Sequence, residues 1–133
     1  LKKITRLAVL ASLPLFFVAC GGSSSDSVES FAGHYQGTLA GSPGHEKNAG
    51  KLEFTISSTG KLTGTANVNI YPQILDGSID SSGVMKIQMW SGGIGLYASM
   101  VMTGQVNSDN TFTGTTYENY KPEVTGTFGG KKD

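Results

Sequence analysis

The sequence predicts an all-β fold, an antiparallel up-and-down meander of about eight strands that forms a closed or nearly closed β-barrel. Three observations predict it. Apolar and polar residues alternate along many short runs, and no stretch of useful length keeps a helical period. A turn recurs: Ile56–Leu62, Ile79–Met85 and Val106–Phe112 each place an apolar residue, a Ser-containing turn, then Gly60, Gly83 or Asn110, and a second apolar residue. Glycines sit mid-strand, within Thr-Gly-Thr at 63–65, 113–115 and 125–127, as bends and close packing in barrels require.

The first strand, 31–40, carries His34 on its outer face. In 50–58, Leu52, Phe54 and Ile56 share one face and Lys51, Glu53 and Thr55 the other, the pattern of an antiparallel sheet with one wet side. Gly60 turns the chain into 61–69, where Gly64 lies two residues from apolar inward positions, and Gly77 does the same in 73–80. Beyond Gly83, strand 84–90 sets Met85, Ile87 and Met89 against Lys86 and Gln88. Strand 95–107 sets Leu96, Ala98, Met100 and Met102 against Tyr97, Ser99 and Thr103. Asn110, which tolerates left-handed backbone as glycine does, leads into 111–117, and 123–129 ends the meander.

Successive connections of a meander fall at alternate ends. The three Ser-containing turns therefore share one end, and the longer or irregular connections 41–49, 70–72, 91–94 and 118–122 share the other. The first and last strands then run antiparallel, which lets them pair and close the barrel.

Ahead of this domain (31–133) stand a signal segment (1–19) and a tether (20–30). Lys2, Lys3 and Arg6 form a positive n-region, Leu7 to Val18 an apolar h-region broken by Ser12 and Pro14, and Ala19 a small residue before the lone Cys20. The apolar run is short for a membrane-spanning helix. Leu1 reads as a non-standard start. Phe17-Val18-Ala19-Cys20 resembles the bacterial lipobox, with Phe17 where leucine is usual. The resemblance implies cleavage before Cys20 and acylation there, palmitate included. The following Gly-Gly-Ser-Ser-Ser-Asp-Ser is a flexible tether. Gly21 resembles the outer-membrane sorting choice of enterobacterial lipoproteins. The expected setting is the cell envelope, anchored through the N-terminal lipid, at the outer membrane rather than the inner.

Loss of residues 1–19 leaves seven basic against ten acidic residues and no arginine. Nucleic acid is not an expected partner, because its binding needs a basic patch. Bidentate arginine recognition of phosphate is absent as well. His34 and His45 are the only histidines and have no companion ligands, so no metal is expected. Asp76-Gly-Ser-Ile-Asp80 has the alternating oxygens of a calcium loop, but Ser81 holds its glycine position and Ile87 that of its last glutamate. Ser58-Thr-Gly-Lys61 has Ser-x-x-Lys spacing, yet lies in a turn. Nothing nominates a nucleophile or base, and the expectation is a non-enzymatic protein with no cofactor.

Binding residues favour loops on a rigid scaffold, which makes the long-loop end the expected contact surface. Tyr71, Trp90, Tyr117 and Tyr120 fall there, with Ile94 and Tyr97 in the glycine-rich run that follows Trp90. Aromatic residues beside adaptable glycines suit contact with a protein, peptide or glycan. The competing expectation is that Trp90 and the tyrosines plug that mouth as core.

Phe112-Thr-Gly-Thr and Val124-Thr-Gly-Thr-Phe-Gly-Gly130 resemble the ending of the eight-stranded barrel domains of transferrin-binding and factor H-binding surface lipoproteins, over residues 112–130. That resemblance implies a barrel and an envelope setting, and it carries no binding residues. Gly60-Lys-Leu-Thr-Gly-Thr65 is similar to a strand pair of avidin-like barrels, without their tryptophan-lined pocket. The whole resembles small glycine/threonine-rich bacterial lipoproteins. Three functions follow as expectations. One is a binding module that meets a host or envelope protein or glycan. Another is a carrier of a small apolar ligand, where inward glycines leave a cavity. The third is a structural or assembly lipoprotein of the envelope.

Overall fold

The computed structural model describes residues 27–91, 98–119 and 121–133. Cys20 and the candidates Ile94, Tyr97 and Tyr120 lie outside the described residues. The chain forms β1 (Gly33–Gly41), β2 (Gly50–Ile56), β3 (Lys61–Val68), β4 (Tyr71–Ile79), β5 (Val84–Ser91), β6 (Ala98–Val106), β7 (Thr111–Glu118) and β8 (Val124–Lys132). Each strand pairs antiparallel with the next. The barrel closes where β8 returns to β1, from Tyr35 opposite Lys132 to Gly41 opposite Gly126. Among the described strands, closure leaves no open edge for another chain to extend.

The expected hairpins form for the expected reason. Gly60 (φ 88), Gly83 (φ 88) and Asn110 (φ 69) adopt left-handed backbone. Side chains fix the turns around them. The Asp80 carboxylate accepts from the Ser82 and Val84 amides (2.9 and 3.1 Å), and the Asp109 carboxylate accepts from the Thr111 amide (3.0 Å). Hydrogen bonds from the Ser82 and Thr111 hydroxyls above all hold both carboxyls below the usual aspartate range.

The connection expected at 70–72 is tighter than the sequence suggests. Val68 pairs with Tyr71, so only Asn69 and Ile70 make the turn, both with positive φ (48 and 70). That is the hairpin turn whose twist matches the flanking strands. Pro72, a sign of strand interruption, lies inside β4. It falls one residue before the β4–β5 ladder begins at Gln73, past the end of the bonds its missing N–H would weaken. At the other end of the chain, β8 runs to Lys132, three residues beyond the expected 129.

Residues 28–30, read as tether, belong to the fold. Val28–Phe31 form a 3-10 turn, here called the strap, and Val28 and Phe31 pack on the core at the tight-turn mouth. Hairpin glycines make room for them. A Cβ on Gly60 would lie 2.5 Å from Val28 Cγ1, and one on Gly83 3.3 Å from Phe31 Cζ. The Tyr35 hydroxyl donates to the Phe31 carbonyl (2.7 Å) and pins the strap, and burial pushes that phenol above its ordinary pKa.

Inside, aromatic rings lie across inward glycines. Phe54 pairs with Gly64, Phe128 with Gly114 and Phe112 with Gly130. A Cβ on Gly104 would stand 2.8 Å from Phe128 Cζ, and one on Gly37 the same distance from Phe112 Cζ. The space beside these glycines is thus occupied by rings, a device that curves a sheet while keeping its interior packed. Tyr35 stacks on Phe54 (5.1 Å between centroids), and Phe112 meets Phe54 edge-on (5.0 Å).

Candidate functional site

The topology puts the starts of β2, β4, β6 and β8 at the end opposite the strap, and three of the sequence candidates are described there. Tyr71 opens β4 and is 62% exposed. Trp90 ends the run Met85-Lys-Ile-Gln-Met-Trp90, whose odd-numbered members are buried and whose Lys86 and Gln88 are exposed. It pairs with Ile74, which faces solvent, so Trp90 stands half-buried on the outer wall. The expectation that Trp90 plugs the mouth is therefore corrected. The unbroken two-residue period of β5 carries it outward. Tyr117 lies on β7, half-buried, opposite Val124 of β8 and Val101 of β6. Its hydroxyl accepts from Thr115 Oγ1 (3.1 Å). Trp90 and Tyr117 share the rim but are separated by β6, so Trp90 groups with Ile74 on the outer wall and Tyr117 with Val124, whereas Tyr71, opposite buried Val68, opens the inward-facing row of β4 that continues to buried Leu75.

The rim holds residues the sequence reading passed over. Among the described residues the exposed large apolar side chains are Ile70 (85%), Tyr71, Ile74 and Val124, and every one of them is at this end. Ile70 is the most telling. A β-branched residue with φ 70 is strained, since its branched Cβ crowds the following carbonyl. The sequence signal was Asn69, a natural first residue of such a turn, but glycine is what usually follows it.

Two bulges shape the rim, where barrels concentrate them. One shifts register between Met89 and Trp90, the other between Thr116 and Tyr117. In the second, Thr125 is the extra residue. It turns into the core beside Thr116 (Oγ1 to Oγ1 3.0 Å) and reaches Met100 Sδ (3.8 Å). Both hydroxyls are buried and satisfied, whereas strict alternation reads Thr125 as outward.

The first and last long connections are laced together. Ser42 donates its backbone N–H to the Thr125 carbonyl (3.0 Å), and His45 Nε2 lies 3.4 Å from Glu123 Oε1. Lys121 Nζ bonds Glu118 (2.8 Å), which lowers the carboxyl pKa and raises that of the amine. These exposed pairs orient the loops more than they stabilise them.

His34 sits apart, at the seam that closes the barrel. Its Nδ1 bonds the Asp133 carboxylate, and its Nε2 is 3.6 Å from Glu53. The hydrogen bond to Asp133 above all raises its pKa above the ordinary value. A raised folded-state pKa contributes stability that is fully present below the unfolded value and lost as pH rises through the folded one. The wild-type advantage over His34→Gln is thus expected to be largest between about pH 5 and 6.5 and to shrink toward pH 8. Thermal melts of both proteins across that range check it, and a pH-independent difference contradicts it. Among the described residues no group of three or more His, Cys, Asp or Glu is placed to hold a metal ion.

Compared with protein-family models, the chain matches none, and no curated protein sequence matches it either.

Proposed function

We propose that the protein is a non-enzymatic binding module of the cell envelope, anchored by lipid on Cys20 at the outer membrane, whose long-loop rim contacts a host or envelope macromolecule. The observation that carries this reading is Ile70, held in left-handed backbone and 85% exposed at a hairpin tip. Strain and apolar exposure at one residue mark a site kept for contact rather than for stability. Exposed Tyr71 follows Ile70 in the chain, and exposed Ile74 pairs with Trp90 on the outer wall at the same end. The strap supports the orientation, because the tether enters the fold at the opposite mouth. Ring-filled space beside the inward glycines favours surface contact over carriage of an apolar ligand.

A photo-crosslinking amino acid placed at position 70 in cells should give one discrete adduct. The same residue at Lys86, on the polar wall, should give none. Equal labelling from both positions, or no adduct from position 70, defeats the proposal.

Ile70→Gly separates stability from contact. Relief of left-handed strain, less the chain entropy glycine adds to the unfolded state, is expected to stabilise the fold by about 1 kcal/mol. Melting should rise by about 4–8 °C while the adduct formed from a crosslinker at Tyr71 disappears. A fall in melting temperature contradicts the strain argument.

A further inference from the structure

A concavity of about 640 Å³ lies at the tight-turn end, between the strap and the hairpins that join β4 to β5 and β6 to β7. Its size is within the range of roughly 300–1,000 Å³ common to small-ligand sites. Its chemistry differs from that of the rim. Phe31, Ser81, Gln105, Asn107, Ser108 and Asn110 line it, and among the described residues no charged side chain does. The carboxylates nearby, Asp80 and Asp109, are drawn into their own turns by the hydroxyls of Ser82 and Thr111 (2.5 Å each).

The polar groups that remain are neutral and partly preset. Gln105 Nε2 donates to the Ser82 and Val106 carbonyls (2.8 and 3.1 Å), which leaves its carboxamide oxygen as a fixed acceptor. Asn107 Nδ2 donates to Thr111 Oγ1 (3.1 Å), and its oxygen is likewise an acceptor. The side chains of Ser81, Ser108 and Asn110 make no hydrogen bond among the described residues, so they offer both donors and acceptors. Phe31, seated against Gly83, adds a half-exposed apolar face. Among the described lining residues there is no cation to hold an anion and no carboxylate to hold a cation, and an apolar ligand would strand hydroxyls and amides. A molecule with many neutral hydroxyls and one C–H face meets each demand.

We infer that this concavity binds a neutral saccharide unit. The inference rests on residues at the end opposite the rim and is independent of the proposed rim contact. The test is a proton–nitrogen NMR titration of the intact lipidated protein in zwitterionic micelles. The probes are maltose, cellobiose and N,N′-diacetylchitobiose, with anionic N-acetylneuraminic acid as the control. At least one neutral sugar should shift the amides of residues 81–83 and 105–110 saturably in the millimolar range, and the anionic sugar should not. Asn110→Gly keeps the left-handed backbone while removing the carboxamide. Together with Ser108→Ala it should weaken binding about tenfold, as loss of two neutral hydrogen bonds implies. Silence with every neutral sugar, equal binding of the anionic one, shifts confined to the rim, or undiminished binding by the double variant each overturns the assignment.

Discussion

Phe112→Ala is expected to remove about 3–5 kcal/mol of folding stability, toward the upper end of that range. The cost of a large-to-small change depends on how far the surroundings can collapse. Phe112 is fully buried, with ring centroids 5.0 Å from Phe54, 6.0 Å from Tyr35 and 6.1 Å from Phe128. Below its ring lie Gly130, its cross-strand partner, and Gly37, which the ring tip overhangs. Neither glycine has a side chain to move into the void, and both backbones are fixed in the seam where β8 meets β1. The hole therefore stays open and strips contacts from three other aromatic rings. Small domains lose about 4–8 °C of melting temperature per kcal/mol, so a fall of about 15 °C or more should be seen by circular dichroism. A fall of only a few degrees would mean that the interior is loosely packed and that the rings are not what holds the seam.

The same local logic explains which parts of the fold were legible in the sequence. Gly60, Gly83 and Asn110 announced their hairpins because left-handed backbone has few suitable residues. The alternation in β2 and β5 announced inward and outward faces, and the same period, continued to the end of β5, sets Trp90 on the side of Lys86 and Gln88. The competing expectation of a core tryptophan followed residue type and set that periodicity aside. Ile70 hid because its conformation opposes its own preference, and Pro72 beside it imitated a break. Thr125 hid because a bulge adds one residue, and one residue reverses the face of whatever follows. The strap hid for a different reason. Val28 and Phe31 are isolated apolar residues at the end of a Ser-rich run, and only the room above Gly60 and Gly83 gives them a place to bury. Local pattern carries strands and turns, whereas contacts between distant glycines and single apolar residues appear only once the barrel is closed. The rim shares this limit. Tyr71, Trp90 and Tyr117 were legible as members of one end, but the pairing of exposed Ile74 with Trp90, and of exposed Val124 with Tyr117, depends on strand register.

Gly104→Ala tests the claim that rings, and not backbone flexibility, impose the inward glycines. Gly104 has no positive φ, so alanine fits its backbone conformation, and any cost arises from space. A methyl there would stand 2.6 Å from the Thr113 carbonyl oxygen, 2.8 Å from Phe128 Cζ and 3.2 Å from the Gly114 Cα. Overpacking against such neighbours is expected to cost about 2–3 kcal/mol. Phe128→Leu keeps most of the buried volume, is expected to cost about 1 kcal/mol alone, and withdraws the ring tip from above Gly104. The two changes should therefore combine less than additively, with a favourable coupling of about 1 kcal/mol. Full rescue is not expected, because the Thr113 carbonyl belongs to the β6–β7 ladder and cannot retreat. The measurement is a denaturant-unfolding cycle over the wild type, both single variants and the double variant. Strict additivity would assign the glycine to backbone crowding alone. Coupling of the expected sign would show that each ring and the glycine beneath it act as one packing unit.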